Sequence, residues 1–354
     1  MTQSFFNTTN EVFLILSSDS YHTGSCTVVH GNGSGYIEKG SVGSHQEFRR
    51  SYGKLPLGKS NLVDLMGASA LAAMLHAGAL LLKLSTTWDW FITLSTADYP
   101  LFTQDDILYA LNILYALKFL PRDLNFVHYT NSTAWKKRHN VGKIVIDSNL
   151  YLKEKSDILY AVETREIPEA FQLFGGSPWM ILSRALVEHC VNGWDNLPRK
   201  LLMYLTNSLY PLESYFHTIL CNTPEFRNTT INTDLRYMIK DIAIEAEHGA
   251  INMSSYDELS RQAIFARPLR ENDPMMLEID NYVLKRPQKG VVPGKWCKRR
   301  RMNDSTRVQK AYGVLCPTWG DIDVISKRIQ GIKLRKFLSQ LATNPKLCTE
   351  LKMK

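Results

Sequence analysis

Trp90-Phe91-Ile92-Thr93-Leu94, running into Ser95-Thr96-Ala97-Asp98-Tyr99-Pro100, is the stretch whose reading decides the fold. It is a short apolar run rich in strand-forming residues, and it stops in a cluster of small, acidic and proline residues. An Ala/Leu pattern from Leu65 to Leu84 precedes it and reads as a helix. A second helix is expected from Gln104 to Phe119. Strand followed by helix implies an α/β sandwich, in which functional side chains collect at the carboxyl ends of strands.

Working outward, Asn125-Phe126-Val127 and Lys143-Ile144-Val145-Ile146 read as further strands. Phe174-Gly175-Gly176-Ser177-Pro178-Trp179 reads as a turn. It leads into a buried strand at Met180-Ile181-Leu182 and a helix from Arg184. Residues 1–53 form a divergent, partly disordered amino-terminal segment, with one candidate strand at Val12-Phe13-Leu14-Ile15-Leu16. Residues 54–350 form the main domain, with an exposed loop at 285–307 and a loop-rich tail.

The 354 residues can bury a large core, and 44% hydrophobic with 21% charged residues is ordinary globular composition. The net charge of +8 is concentrated at Lys298-Arg299-Arg300-Arg301. That run lacks interleaved aromatics and reads as solvated surface, so no nucleic-acid partner is expected. The 6 cysteines show no C-x-x-C pair, and no His-rich cluster offers zinc-ligand spacing. Cys221 with the late Cys297, Cys316 and Cys348 could form bridges in an oxidising compartment. The sequons at Asn7, Asn32, Asn131, Asn228, Asn252 and Asn303 point the same way. No signal peptide is visible at Met1, because Asn and Thr interrupt Phe5-Phe6. The most apolar window, Met66 to Leu84, contains His76 and reads as a buried helix rather than a membrane span.

There is no Walker loop, no G-x-G-x-x-G, no H-E-x-x-H and no G-x-S-x-G. No D-x-D ends a strand, although Asp321-Ile322-Asp323 occurs in the tail. What remains is an acid in an aromatic surround, Pro211-Leu212-Glu213-Ser214-Tyr215-Phe216-His217. Glu213 reads either as a base made more reactive by desolvation or as an acid starting a helix. Asp98 reads either as a strand-end ligand for hydroxyls or as a loop cap before Tyr99-Pro100. Gly175 and Gly176, beside Ser177 and Trp179, make either a plain turn or a backbone that a ligand can approach closely. The Trp135-Lys136-Lys137-Arg138 cluster adds positive charge. Acids and hydroxyls flanked by Trp and Tyr suit sugars.

Taken together, Trp88-Asp89-Trp90-Phe91-Ile92-Thr93-Leu94-Ser95 with Asp98-Tyr99-Pro100, Phe174 to Trp179 and Glu213-Ser214-Tyr215-Phe216-His217-Thr218 resemble glycosyltransferase family 14. Gly193-Trp194-Asp195-Asn196-Leu197-Pro198-Arg199, Pro224 to Thr230 and Val292-Pro293-Gly294-Lys295-Trp296-Cys297 resemble its plant branch, which includes β-glucuronosyltransferases. The resemblance covers roughly residues 53 to 350. It implies a GT-A-like fold, a type II Golgi membrane enzyme with a lumenal catalytic domain, and inverting transfer from a UDP-sugar without a bound metal or other cofactor. The acceptor it implies is the β-galactan of arabinogalactan-type glycoproteins. Glu213 matches the family's catalytic base, and Asp98 falls in its strand-end acid motif. Trp135, Lys136 and Arg138, with Gly175, Gly176, Ser177 and Trp179, match substrate-side motifs. The late cysteines resemble a plant disulfide pattern.

Two departures from the family pattern stand out. Pro268 occupies a place where a Lys is usual, leaving Arg267 or Arg270 to serve the donor diphosphate. The opening residues show neither the membrane anchor nor the first strand and loop that should hold uridine, so part of the donor-binding sheet is expected to be lacking and transfer to be weak or absent. The alternatives are N-acetylglucosamine or xylose transfer, or a non-catalytic carbohydrate-binding homologue.

Overall fold

The computed structural model describes residues 12–17, 24–29, 61–84, 88–95, 98–116, 123–152, 156–193, 195–239, 253–268, 274–286 and 327–343, with Val292, Gly294 and Cys348. Its centre is a seven-stranded mixed sheet. The strands are β1 (Val12–Ser17), β2 (Gly24–Val29), β3 (Asn61–Val63), β4 (Trp90–Ser95), β6 (Asn125–Phe126), β11 (Ile181–Ser183) and β12 (Thr230–Ile231). They lie in the order β12-β6-β11-β4-β1-β2-β3. β1 runs parallel to β4, with Val12 opposite Trp90 and Ser17 opposite Ser95. β11 pairs antiparallel with β4 on the other side.

Every residue of β4 is buried. Its side chains alternate between two cores, as the strand period of two requires. Trp90, Ile92 and Leu94 enter one core with Phe126, Ile181 and Phe265. Phe91 enters the other with Val127, Met180 and Leu182. Helix α1 (Ala68–Leu84) lays Leu71, Met74, Ala77 and Leu81 against the Phe91 side. A Cβ on Gly78 would stand 2.8 Å from Val187 of helix α4 (Arg184–Asn192), so glycine permits that helix crossing. The expected layering of helices on a sheet is therefore present. α1 is buried against protein, and no described helix is long and apolar enough to cross a membrane.

Helix α2 (Gln104–Ala116) opens on a reciprocal cap: Thr103 donates its hydroxyl to Asp106, and the Asp106 amide donates back to Thr103 Oγ1. Asp106 also accepts from the amide of Gly331 at 3.0 Å. Gly331 belongs to α10 (Ile329–Thr343), which buries Leu334 and Leu338 at four-residue spacing in the Trp90-side core. Truncating either leucine to alanine would cost about 2–5 kcal/mol.

The sequence reading differs from this structure in four places. The tail, expected to be loop-rich, contains α10. Val292, inside the expected exposed loop, is buried in the core. The amino-terminal side of the sheet carries β1 at the candidate strand Val12–Leu16, and beside it β2 and β3, which were not expected. The turn at Gly175-Gly176 is strand β10, paired with β7 (Tyr129–Thr130). Lys298–Arg301 and Asp321–Asp323 lie outside the described residues.

Candidate active site

Helix α3 (Thr133–Arg138) begins where Ser132 Oγ accepts from the Trp135 amide at 3.2 Å. This short helix turns Trp135 into the core and leaves Lys137 and Arg138 exposed. Lys136 is half-buried, and burial pulls its ammonium below the usual lysine range. The helix ends at His139, whose backbone amide bonds the Trp135 carbonyl at 3.0 Å. Its ring stacks on Trp135, with centroids 4.7 Å apart and planes at 24°. The His139 Nδ1 atom lies 3.1 Å from the same carbonyl.

Glu213 ends a single 3₁₀ turn, Pro211–Glu213, just before helix α6 (Tyr215–Asn222). Tyr210 precedes the turn in the left-handed region, φ 52°, and its amide bonds the Met66 carbonyl. That arrangement carries Glu213 to His139, with Oε2 2.9 Å from Nε2. The two side chains are 22% and 16% exposed respectively. The His139 ring also meets the Tyr210 ring in a T-shaped pair, with centroids 5.2 Å apart and planes at 77°. Burial raises the Glu213 pKa above its ordinary 4.5, and His139 opposes that rise. The carboxylate thus meets an imidazole, which distinguishes it from a simple helix-start acid.

The Gly175-Gly176 strand presses against this unit. A Cβ on Gly175 would stand 1.9 Å from the Trp135 ring, and one on Gly176 would stand 2.0 Å from the His128 carbonyl oxygen. The room freed by the two glycines is filled by protein atoms. Ser177 continues the turn: its amide bonds the His128 carbonyl at 3.3 Å, and its carbonyl accepts from His217 Nε2 at 2.9 Å. His217 is wholly buried and pulled down to about 3, chiefly by desolvation, so it is neutral and donates.

Asp98 lies at the carboxyl end of β4, where Oδ2 accepts from the Ser95 amide at 2.7 Å. Its other oxygen faces Arg236 Nε and Arg267 Nε, each 3.8 Å away. Arg236 starts β13 (Arg236–Met238), and Arg267 ends β14 (Phe265–Arg267). The Arg267 guanidinium stands 5.1 Å above the buried Trp179 ring. Asp98 is therefore both a cap for its own turn and the anion between two arginines.

The structure thus gathers Trp135, Gly175 and Glu213 in one cluster, and Asp98, Trp179 and Arg267 in another, with Gly175–Trp179 running between them. Arg270 lies outside the described residues. His139 and Arg236 were missed in the sequence. His139 directly follows the Trp135–Arg138 quartet, so its position was a usable signal, whereas Arg236 carries none. Among the described residues no group of three His, Cys, Asp or Glu side chains could hold a metal ion. A disulfide joins Cys221 of α6 to Cys348.

A mixed α/β sheet whose strand β4 ends at a buried acid, faced by arginines from β13 and β14, defines a charged strand-end cluster in an α/β protein. Comparison with known families then makes the assignment: residues 36–262 match the Core-2/I-Branching enzyme family, and the chain belongs to that family. It is similar to the beta-glucuronosyltransferase GlcAT14A of Arabidopsis thaliana, 40% identical over 308 residues. That match covers 87% of this chain and 65% of the relative, so the chain spans just under two thirds of its length. GlcAT14B of the same plant is 38% identical, over 91% of this chain and 72% of the relative. Human xylosyltransferase 1 is 31% identical over 173 residues, 48% of this chain and 16% of the relative.

Proposed function

We propose that this chain is an inverting glycosyltransferase that moves glucuronic acid from UDP-glucuronate to β-galactan chains of arabinogalactan-type glycoproteins. The observation that carries the reading is the half-buried Glu213 carboxylate, held against His139 at the start of α6, in a chain that resembles plant beta-glucuronosyltransferases. In the proposed step Glu213 takes the proton of an acceptor hydroxyl. The freed oxygen bonds to the sugar's anomeric carbon from the face opposite UDP. The bond to UDP breaks, and its electron pair leaves with the diphosphate.

Negative charge then grows on UDP, and a fixed guanidinium there lowers the barrier without reorganising. Arg267, with Arg270, is assigned that task. Lys136, Arg138, Ser177 and Trp179 are assigned to the sugars, with Trp135, Gly175 and Gly176 shaping the wall behind them. Asp98, its side chain fully buried, fixes the cation geometry at the strand end. The disulfide and the sequons support an oxidising compartment, and we assign the Golgi lumen.

The similarity to a xylosyltransferase supports a second reading in which the donor is another UDP-sugar. One experiment addresses both. A panel of UDP-sugars is offered to the wild-type chain and to Glu213→Gln with a β-galactan acceptor, with and without chelator. The proposal expects UDP-glucuronate as donor, no chelator effect, and a loss of about 10²–10⁴-fold in kcat in the variant. Equal activity in both proteins removes Glu213 as the base. Galactan binding without UDP binding would instead mark a carbohydrate-binding homologue.

A further inference from the structure

Hydrogen-bond chemistry at His139 restricts where its protons lie. The Trp135 carbonyl oxygen 3.1 Å from Nδ1 can only accept, so Nδ1 carries a hydrogen. Nε2 faces Glu213 Oε2 at 2.9 Å. Were neither atom protonated, two lone pairs would oppose each other at hydrogen-bond distance. One proton therefore lies between them.

We propose that His139 is the positioning residue of the base: an imidazolium that shares its Nε2 proton with Glu213, holds that carboxylate ionised in its apolar surround, and leaves the second carboxylate oxygen for the acceptor hydroxyl. This rests on the reading of Glu213 as the base. Three walls fix the ring. Trp135 stacks on one face, Tyr210 meets it in a T-shaped pair, and the Trp135 carbonyl pins Nδ1. A ring so fixed can aim Nε2 at one oxygen only, which sets the carboxylate's rotation as well as its charge.

The other titratable and charged groups around the pair come from each neighbouring element. On α3 they are Lys136, half-buried, with Lys137 and Arg138 exposed. From the segment before Glu213 comes Tyr210, whose phenol is pushed up by burial, then by Glu213, Tyr160 and Asp64, and so stays neutral. Tyr160 lies on β9 (Leu159–Thr164) and Asp64 just before α1. Among these described groups, His139 is the one in hydrogen-bond contact with Glu213.

The test compares the pH dependence of kcat in wild type, His139→Gln and Glu213→Gln, with thermal unfolding as a control for folding. Glutamine can still donate to Glu213 but carries no charge. The expected result is an acid limb displaced upward by about 1–3 pH units in His139→Gln, with kcat recovering at high pH. A merely structural residue would lower kcat at every pH without moving the limb, and a superimposable profile likewise overturns the proposal. Transfer retained in Glu213→Gln sinks the base reading itself. Transfer lost there together with an unmoved limb in His139→Gln sinks the present inference alone. A second measurement needs neither turnover nor a folded variant. Nitrogen-15 NMR of wild-type histidine rings at pH 7 should show protons on both ring nitrogens of His139, and an Nε2 without a proton overturns the pairing.

Discussion

The indole of Trp135 occupies the space that a side chain on Gly175 would need, its nearest ring atom 1.9 Å from the position of a Cβ. The six-membered half of that ring therefore has a glycine backbone against it, while the ring also stacks on His139. The Gly175-Gly176 strand is thereby coupled to Glu213 through two rings.

Gly175→Ala is expected to push Trp135 and His139 out of place and to lower kcat more than it raises the KM for donor. Overpacking of this kind costs about 1–3 kcal/mol. Gly176→Ala meets a backbone carbonyl that cannot swing away, so it should destabilise at least as much. Urea unfolding and steady-state kinetics of the two variants check this. Wild-type stability in both would show that the close contacts are slack.

Asp98 sits with a fully buried side chain between two arginine Nε atoms. Asp98→Asn can keep the bond from the Ser95 amide but removes the anion between the arginines, leaving Asp234 as the remaining carboxylate acting on the buried Arg236. A loss of about 3–5 kcal/mol in unfolding free energy is expected. A variant with wild-type stability but weakened sugar binding would instead assign Asp98 to ligand alone.

His217 makes the stability pH-dependent with a definite sign. Its folded pKa is pulled down to about 3 from 6.5. Between those values the unfolded chain binds the extra proton, so this residue's contribution is complete above about pH 6.5 and is lost as pH falls toward 3. The slope is at most about 1.4 kcal/mol per pH unit. His217→Gln, which can still donate to the Ser177 carbonyl, should flatten the urea-midpoint curve over that range. An unchanged slope would contradict the assignment.

The Cys221–Cys348 bridge closes a loop spanning 127 positions. Such a long closure restricts the unfolded chain strongly, and Cys348→Ser is expected to lose about 2–5 kcal/mol. Thermal unfolding with and without reductant reads this out: wild type under reductant should approach the variant.

Residues 88 to 100 made the central strand and the turn at its end legible, because an apolar run stopped by Asp98 and Pro100 is a local signal. Glu213 stood out in the sequence as a carboxylate set among rings within a few residues, but the ring it meets, His139, lies far away along the chain. α10 was not legible as core, since its apolar stripe is thin and its partner Asp106 lies far away in sequence. The Gly175-Gly176 pairing was hidden too: a glycine pair looks the same whether its missing side chains make room for a ligand, a tryptophan or a neighbouring strand.

The chain's letters alone settled the alternation of strand and helix and the family motifs, because periodicity and short ordered patterns act over a few residues. Only the folded arrangement decided that His139 meets Glu213, that Asp98 stands between Arg236 and Arg267, and that α10 closes the core. Those contacts join segments distant along the chain, and the burial that brings them together is a property of the whole packing rather than of any local stretch.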